Sequence, residues 1–373
     1  MYVTTLHLQN YRNLAPQLVK FSQELNIFSG ANAQGKTNLL EAVYLCATGR
    51  SKRVRHNRDL IRFDAQDAYL QLSVTKNISY SYPTQIDIHL QSKGSKGIAV
   101  NGLPIKKLSD LFGTFLCVMF TPEDLRLVKE GPAERRRFID IELCQISPIY
   151  LHHLQTYYNV LQQRNTLLKN LRGNRAAAKN LLDTISLWDT QLVEHGTKIF
   201  NLRQNFITEI AQAAKHIHQN ITNHKESLLI EYRPNITPSD FSKKLASSLD
   251  RDISLGSTST GLHKDDLYLS INGTDARVFA SQGQQRTASL SAKLAQLQIM
   301  TTKTNDPPVL LLDDVLSELD ESRQTHLLQN IKNLQTLITC TGTEDIFQKI
   351  IKTHDNYNHQ TITNGTITPP KSN

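Results

Sequence analysis

Gly30-Ala31-Asn32-Ala33-Gln34-Gly35-Lys36-Thr37 is the stretch on which the reading turns. It has the form GxxxxGK[ST], a phosphate-binding loop. The segment before it, Leu25-Asn26-Ile27-Phe28-Ser29, is short and apolar and reads as a strand. The segment after it runs Asn38 to Ala47 and places apolar residues 39, 40, 43, 44 and 47 on one helical face. Gly49 then stands where a helix C-cap glycine belongs. Strand, loop and helix are the context the motif requires. The glycines let the amides of Gly30, Ala31, Asn32, Ala33, Gln34 and Gly35 curl around phosphate oxygens with no Cβ in the way. The helix N-terminus, through Lys36, Thr37 and Asn38, adds partial positive charge. Lys36 can reach the β- and γ-phosphates, and the Thr37 hydroxyl can ligate Mg²⁺. ATP and Mg²⁺ are thus the cofactors expected. A glycine-rich turn before a core helix is the weaker reading.

A phosphate loop needs a carboxylate to hold the metal. Val309-Leu310-Leu311-Leu312-Asp313-Asp314, after Pro307-Pro308, reads as a strand buried on both faces with two acids at its C-terminal end. That end is where open α/β sheets bind ligands. Asp313 is assigned to the Mg²⁺ shell and Asp314 to polarising the attacking water, so Lys36, Asp313 and Asp314 form the expected catalytic set. Lys36 and Asp313 stand 277 residues apart, far more than a crossover between neighbouring strands needs. Something is inserted between them.

The rest of the chain says what. Val3 to Leu8 and Gln85 to Leu90 alternate as half-buried strands, and Gly94, Gly97, Asn101-Gly102 and Pro104 punctuate hairpins. From 122 to 249 glycine is rare and apolar residues fall at helical spacing (Leu154, Tyr157, Tyr158, Leu161, then Leu168 and Leu171). Asp250 to Gly261 reads as a loop or boundary, a long helix starts near Gln284, and the tail Asn364 to Asn373 is expected to fray. The expected layout is an ATPase head from 1–120 and 255–373, with a helical lobe, 121–254, inserted. With 373 residues, 20% charged and 39% hydrophobic, the chain affords a large core. Its longest apolar run, Phe115 to Phe120, is far below the ~20 residues of a membrane span. No signal peptide is visible, and four scattered cysteines with no CxxC pair fit a reducing cytoplasm. The net charge of +8 permits an anionic partner.

Further segments carry a family resemblance. Phe279-Ala280-Ser281-Gln282-Gly283-Gln284-Gln285 opens an amphipathic helix and resembles the signature motif of ABC-type ATPases. Ser317-Glu318-Leu319-Asp320 resembles their D-loop. MFTPEDLRLVKEGPAERRRFID (119–140), GLHKDDLYLSI (261–271) and Leu8-Gln9-Asn10-Tyr11-Arg12-Asn13-Leu14 resemble blocks of the bacterial RecF family. The resemblance implies an α/β fold: a P-loop ABC-type ATPase head, with a mixed or parallel sheet, flanking helices and an antiparallel β part, carrying an inserted α-helical lobe. It implies a head like those of SMC and Rad50 proteins, in which ATP glues a homodimer. Ser281, Gly283 and Gln284 would touch the nucleotide bound by the partner, and Arg12 joins the nucleotide contacts. It implies a weak, DNA-stimulated ATPase at single-strand gaps and stalled forks, helping RecA to load with RecR and RecO. Asp314 replaces the Glu of the wider ABC class, a choice that RecF-like proteins share; no ABC switch histidine follows Leu337-Ile338-Thr339, where Thr341 or Thr343 stands instead; and Leu262 and Lys264 depart from the family, standing where Pro and Arg are expected. Glu123 falls near the Q-loop position.

Two basic runs are the expected DNA contacts: Arg50, Lys52, Arg53, Arg55 and Arg58 in one, Arg135 and Arg136 in the other. They suit the phosphates of double-stranded DNA near single-strand junctions. No helix-turn-helix, zinc finger or RRM signature appears, so base-specific readout is not expected. The competing reading of the arginine triplet is an ion-pair network with Glu134, Asp140 and Glu142 on its own helix. Rival functions are a transporter nucleotide-binding domain, an SMC-like clamp, and a DNA-binding module that holds nucleotide without hydrolysis.

Overall fold

The computed structural model describes residues 1–54, 56–77, 82–173, 178–331, 334–341 and 356–368. The chain forms two compact units, Met1–Asp124 with Gln296–Asn373, and Leu125–Ala295. In chain order the first begins with β1 (Tyr2–Gln9), β2 (Gln17–Lys20), β3 (Leu25–Ser29), α1 (Lys36–Thr48), β4 (Asp67–Thr75), β5 (Thr84–Gln91), β6 (Gly97–Val100), β7 (Leu103–Pro104) and β8 (Cys117–Phe120). The second holds α2 (Arg126–Lys129), α3 (Pro132–Ile146), α4 (Pro148–Gly173), α5 (Ala178–Ile221), β9 (Leu228–Arg233), α6 (Pro238–Ser247), α7 (Leu249–Leu255), β10 (Asp266–Ile271), β11 (Thr274–Asp275) and α8 (Ala276–Phe279). The chain returns through α9 (Gln282–Thr304) to β12 (Val309–Asp313), α10 (Glu321–Asn330), β13 (Thr336–Cys340), β14 (Tyr357–Thr363) and β15 (Thr366–Ile367).

The first unit contains two sheets. One has the order β15-β14-β3-β13-β12-β8, and its pairings are parallel except β14 with β15. Every residue of β3, β8, β12 and β13 is buried. That is why these strands read as continuous apolar runs, as strands covered on both faces do. The other sheet, β2-β1-β4-β5-β6-β7, is antiparallel and keeps the in–out alternation of a sheet covered on one face. Helix α1 packs against strands of both sheets. Ala42, Leu45 and Cys46 are therefore buried as well as the face read from sequence, and α1 is apolar nearly all round. Gly49 closes it in the left-handed region (φ 63°), its N–H on Leu45 O at 2.7 Å.

The tail expected to fray does otherwise in its first part. Asn364 and Gly365 turn the β14–β15 hairpin. The Gly365 N–H meets Gln34 O at 3.1 Å, and Asn364 N–H meets Gln34 Oε1 at 2.5 Å. The hairpin tip thus braces the phosphate loop. The end of that tail, 369–373, lies outside the described residues.

In the second unit α4 and α5, of 26 and 44 residues, pack against each other; the longer spans about 66 Å. Leu168, Leu171 and Ile185 pack with Leu249 and Ile253 beside them. The unit is not purely helical. β9 alternates buried and exposed, and β10 pairs with it antiparallel from Asp266↔Arg233 to Ile271↔Leu228. The compact unit accordingly runs past the Asp250–Gly261 stretch read as a boundary, and Leu249–Leu255 is helix α7, capped by Gly256.

Its core also holds charge. Arg203 and Arg164 are the largest fully buried side chains. Arg203 donates to Asp140 Oδ1 (2.7 Å), Asp265 Oδ2 (2.9 Å), Leu262 O (3.0 Å) and Tyr150 Oη (2.9 Å). Arg164 pairs with Asp189 (2.6 Å) and Asp252 (2.8 Å). The GLHKDD block sits in this hub: Tyr232 and Asn235 N–H bind the Asp265 carboxylate. No described helix is long and apolar enough to cross a membrane. The four cysteines are buried and none is in a disulfide.

Candidate nucleotide-binding site

Three elements of the first unit converge on the phosphate loop. β3 delivers Gly30, the loop crosses Ala31 to Gln34, and α1 begins at Lys36 with Gly35 as its N-cap. Gly35 has φ 113°, and a Cβ there would lie 2.7 Å from a Leu14 methyl, so the position demands glycine. A Cβ on Gly30 would collide with the backbone carbonyl of Ile362 in β14. An N-cap with no side chain leaves the first-turn amides of α1 without a capping acceptor, free for an anion. Ala31, Asn32 and Ala33 are exposed, and Ala33 has φ 64°.

Lys36 is buried, its Nζ held by Gly30 O (2.6 Å) and Ala31 O (3.0 Å). The ammonium is thus aimed along the start of the loop. Thr37 Oγ1 donates to Asp313 Oδ1 at 3.0 Å, which joins the loop to the C-terminal end of β12. Thr339 of β13 donates to the same oxygen at 2.8 Å. Burial pushes the Asp313 carboxyl up, and the hydrogen bonds from Thr339 and Thr37 pull the other way. Sequence reasoning missed Thr339 because the register Asp313↔Thr339 depends on pairing strands, which no spacing reveals.

The oxygens suit Mg²⁺. Neighbouring ligands at about 2.1 Å around an octahedral ion stand about 3 Å apart, the Thr37–Asp313 spacing. Among the described residues no group of three or more His, Cys, Asp or Glu could hold a metal alone.

Asp314 takes the left-handed conformation (φ 53°), uncommon for a non-glycine residue. Its N–H donates to Thr339 Oγ1 (3.0 Å), and Ser317 Oγ donates to its carbonyl (2.7 Å) and to Oδ1 (3.2 Å). The side chain is half-buried, next to Asp313 in sequence but turned by the backbone. Asp320 caps α10 through Arg323 N–H at 2.9 Å. Thr341 is exposed, and Thr343 lies outside the described residues.

Arg12 is committed elsewhere. It forms a two-pronged pair with Glu41 of α1 (3.0 and 3.1 Å) and donates to Asp59 O (2.7 Å). Glu41 is buried and also accepts from Ser51 Oγ at 2.6 Å. Asn13 donates to Ala33 O (3.1 Å) and accepts from Asn38 (2.7 Å). The 10–14 segment therefore steadies the loop, and Glu41 and Ser51, absent from the sequence-based set, tie it to the basic run.

Within that run Arg50, Arg53 and Arg58 are exposed. Arg53 Nη1 donates to Asn38 Oδ1 (2.9 Å), close enough for its charge to favour ionised Asp313. Lys52 is engaged with Asp124 (3.0 Å) and Met119 O. Arg55 lies outside the described residues. In the second unit Arg135 is a correction: it is buried, with Nε and Nη2 on Asp266 at 2.6 and 3.0 Å, and cannot reach a DNA phosphate. Its partner is on β10, not on its own helix as the competing reading had it. Arg136 donates to Asp265 O at 2.7 Å.

The signature segment begins α9 with a capping box: Ser281 Oγ accepts from Gln284 N–H (3.3 Å) and Gln284 Oε1 accepts from Ser281 N–H (2.9 Å). Ser281 is exposed, Gly283 half-buried, and Gln284 also donates to Glu226 (3.1 Å).

Residues 2–366 match the RecF/RecN/SMC N terminal domain family. The chain is 45% identical over 353 residues to the DNA replication and repair protein RecF of Lachnoclostridium phytofermentans, covering 95% of this chain and 96% of the relative. It is 41% identical to that of Clostridium acetobutylicum, covering 98% and 99%. A solved structure described as the recombination mediator protein RecF-ATP in the RecFOR pathway superposes with TM-score 0.90 at 33% identity, covering 99% of this chain and 98% of that one. An Smc head domain from Pyrococcus furiosus shares the fold, with TM-score 0.58 at 15% identity over 98% and 95% of the two chains.

Proposed function

The chain belongs to the RecF/RecN/SMC N-terminal domain family, within it to the RecF proteins, and on that premise we propose that it is an ATP-switched DNA-binding protein of recombinational gap repair and replication-fork maintenance. The observation that carries the reading is the junction of Thr37 with Asp313 beside a buried Lys36, at the C-terminal edge of a parallel sheet.

The residues divide the work as follows. The amides from Gly30 to Asn38 cradle the phosphates, and Lys36 leaves its loop carbonyls to neutralise the β- and γ-oxygens. Thr37 and Asp313 hold Mg²⁺, which when bound offsets charge on the phosphate oxygens. Asp314, held by Thr339 and Ser317, orients the attacking water. Hydrolysis is slow and DNA-stimulated, a switch rather than an engine. Ser281 and Gly283 present a hydroxyl and helix-terminal amides to the γ-phosphate held by a second copy, so ATP joins a homodimer and hydrolysis releases it. Arg50 and Arg58 track duplex phosphates near single-strand junctions. RecR and RecO are the proposed partners in helping RecA to load, in the cytoplasm.

Light scattering tests the switch. ATP should convert monomer to dimer, and Ser281→Arg should abolish the dimer while leaving ATP binding intact. A dimer that forms equally well without nucleotide would sink the sandwich.

A further inference from the structure

The GLHKDD block offers a second reading beyond turning the chain. Its two acids, Asp265 and Asp266, would be expected to neutralise neighbouring cations, but both are held by other partners. Asp265 is fully buried and given to Arg203, Tyr232 and the Asn235 amide. Asp266 is clamped by Arg135. The nearby Asp140 also goes to Arg203 and to the Tyr150 hydroxyl. Lys264 is exposed between the half-buried His263 and the buried Asp265, on a turn fixed by its own N–H to Gly261 O at 2.9 Å. Arg136 is tethered by one N–H to the Asp265 carbonyl, the residue after Lys264. Among the described residues, no carboxylate bonds to Lys264 or Arg136.

We propose that Lys264 and Arg136 form a phosphate-contact site of the second unit, a pair of neighbouring cations that docks on the backbone of duplex DNA. The inference rests on the DNA reading above and adds the surface by which the inserted unit takes part. The physical reason is the missing counter-ion. Two adjacent cations with no acid between them raise the local potential, and a polyanion relieves it. Both cations already act on a neighbour: burial holds the His263 imidazole down to about 4, and the charges of Lys264 and Arg136 add to that lowering. The nearby acids that would neutralise the pair are spent on buried arginines, Asp265 on Arg203 and Asp266 on Arg135. A guanidinium bound through one of its five donors keeps the others for phosphate oxygens. Nothing in the arrangement reads base edges, so the contact is indifferent to sequence.

The test is fluorescence anisotropy of labelled duplex DNA against salt, with ATP present, on the full chain. Each lost phosphate contact lowers the slope of log K against log salt by about 0.9. Lys264→Ala should flatten the slope by that amount, and Lys264→Ala with Arg136→Ala by about twice it. Lys264→Arg should retain the wild-type slope. Among the described residues Lys264 bonds to nothing through its side chain, so Lys264→Ala should melt at the wild-type temperature, which keeps the result readable if the Arg136 variant is unstable. A wild type that binds duplex with the same slope as Lys264→Ala overturns this site alone. A wild type that binds no duplex overturns both it and the DNA reading.

Discussion

The chain carries two runs of basic residues that look alike in sequence and fold in opposite ways. In the first unit Arg50, Arg53 and Arg58 reach solvent; Lys52 pairs with Asp124 at 3.0 Å, and Arg58 pairs at the surface with its neighbour Asp59 at 3.6 Å. In the second, Arg135 is buried on Asp266 and Arg136 leans on a backbone carbonyl. The difference lies in what the chain brings opposite each run. The first faces hydroxyls, amides and two aspartates, Asp124 and the run's own exposed Asp59. The second faces the HKDD turn, which arrives from about 130 residues away with two carboxylates. Charge density along a sequence therefore does not tell an exposed cation from a buried ion pair; the acid that buries Arg135 is distant in the chain.

The largest effect that would break this comparison is at Arg135. Arg135→Ala leaves Asp266 without its partner and should cost about 2–4 kcal/mol of stability, read by denaturant unfolding, since removing one member of a buried pair strands the other. The same substitution should leave the salt slope of DNA binding unchanged in protein that remains folded. Arg50→Ala with Arg58→Ala should do the reverse: near-wild-type unfolding, and duplex affinity down about tenfold with a flatter slope. Exchanged outcomes would mean that the two runs have been assigned the wrong way round.

A smaller effect sharpens the picture of the second unit. His263 accepts from the Tyr157 hydroxyl and donates to Thr258 O, so it sits neutral in the hub. Burial is the main cause of its lowered pKa, with repulsion from Lys264 and Arg136 adding to it and the Thr258 carbonyl opposing. Its pKa is about 4 when folded and 6.5 when unfolded. As pH falls below 6.5 the unfolded chain takes up a proton that the folded one refuses, so stability drops until about pH 4, by up to roughly 3 kcal/mol. His263→Gln should flatten that part of the stability–pH curve relative to wild type. An unchanged slope would show that His263 carries its proton in the folded protein.

Much of the head was legible because its motifs are local. The 30–37 loop, the apolar β3 and β12, and Gly49 at the C-cap each depend on a few adjacent residues, and the structure has them as read. What escaped depends on partners far apart in sequence. Thr339 meets Asp313 only through parallel strand register. β9 sits among helices, and its six residues are too few to outweigh their helical surroundings, so the strand appears only once β10 pairs with it. The tail read as frayed because Gly365 and prolines dominate its composition. Yet Gly365 is needed where it is: a Cβ there would strike the Asn13 carbonyl. The basic triplet misled for the reason already given, since burial of Arg135 is decided by Asp266.

The central claim is that the Thr37–Asp313 junction works as an ATPase site. Its most direct test is the rate of ATP hydrolysis in Mg²⁺, with and without gapped duplex DNA, for wild type beside Lys36→Ala. The account predicts slow turnover that DNA accelerates and that Lys36→Ala abolishes in both conditions. A Lys36→Ala protein as active as wild type, or a wild type that binds ATP and never hydrolyses it, would contradict the claim.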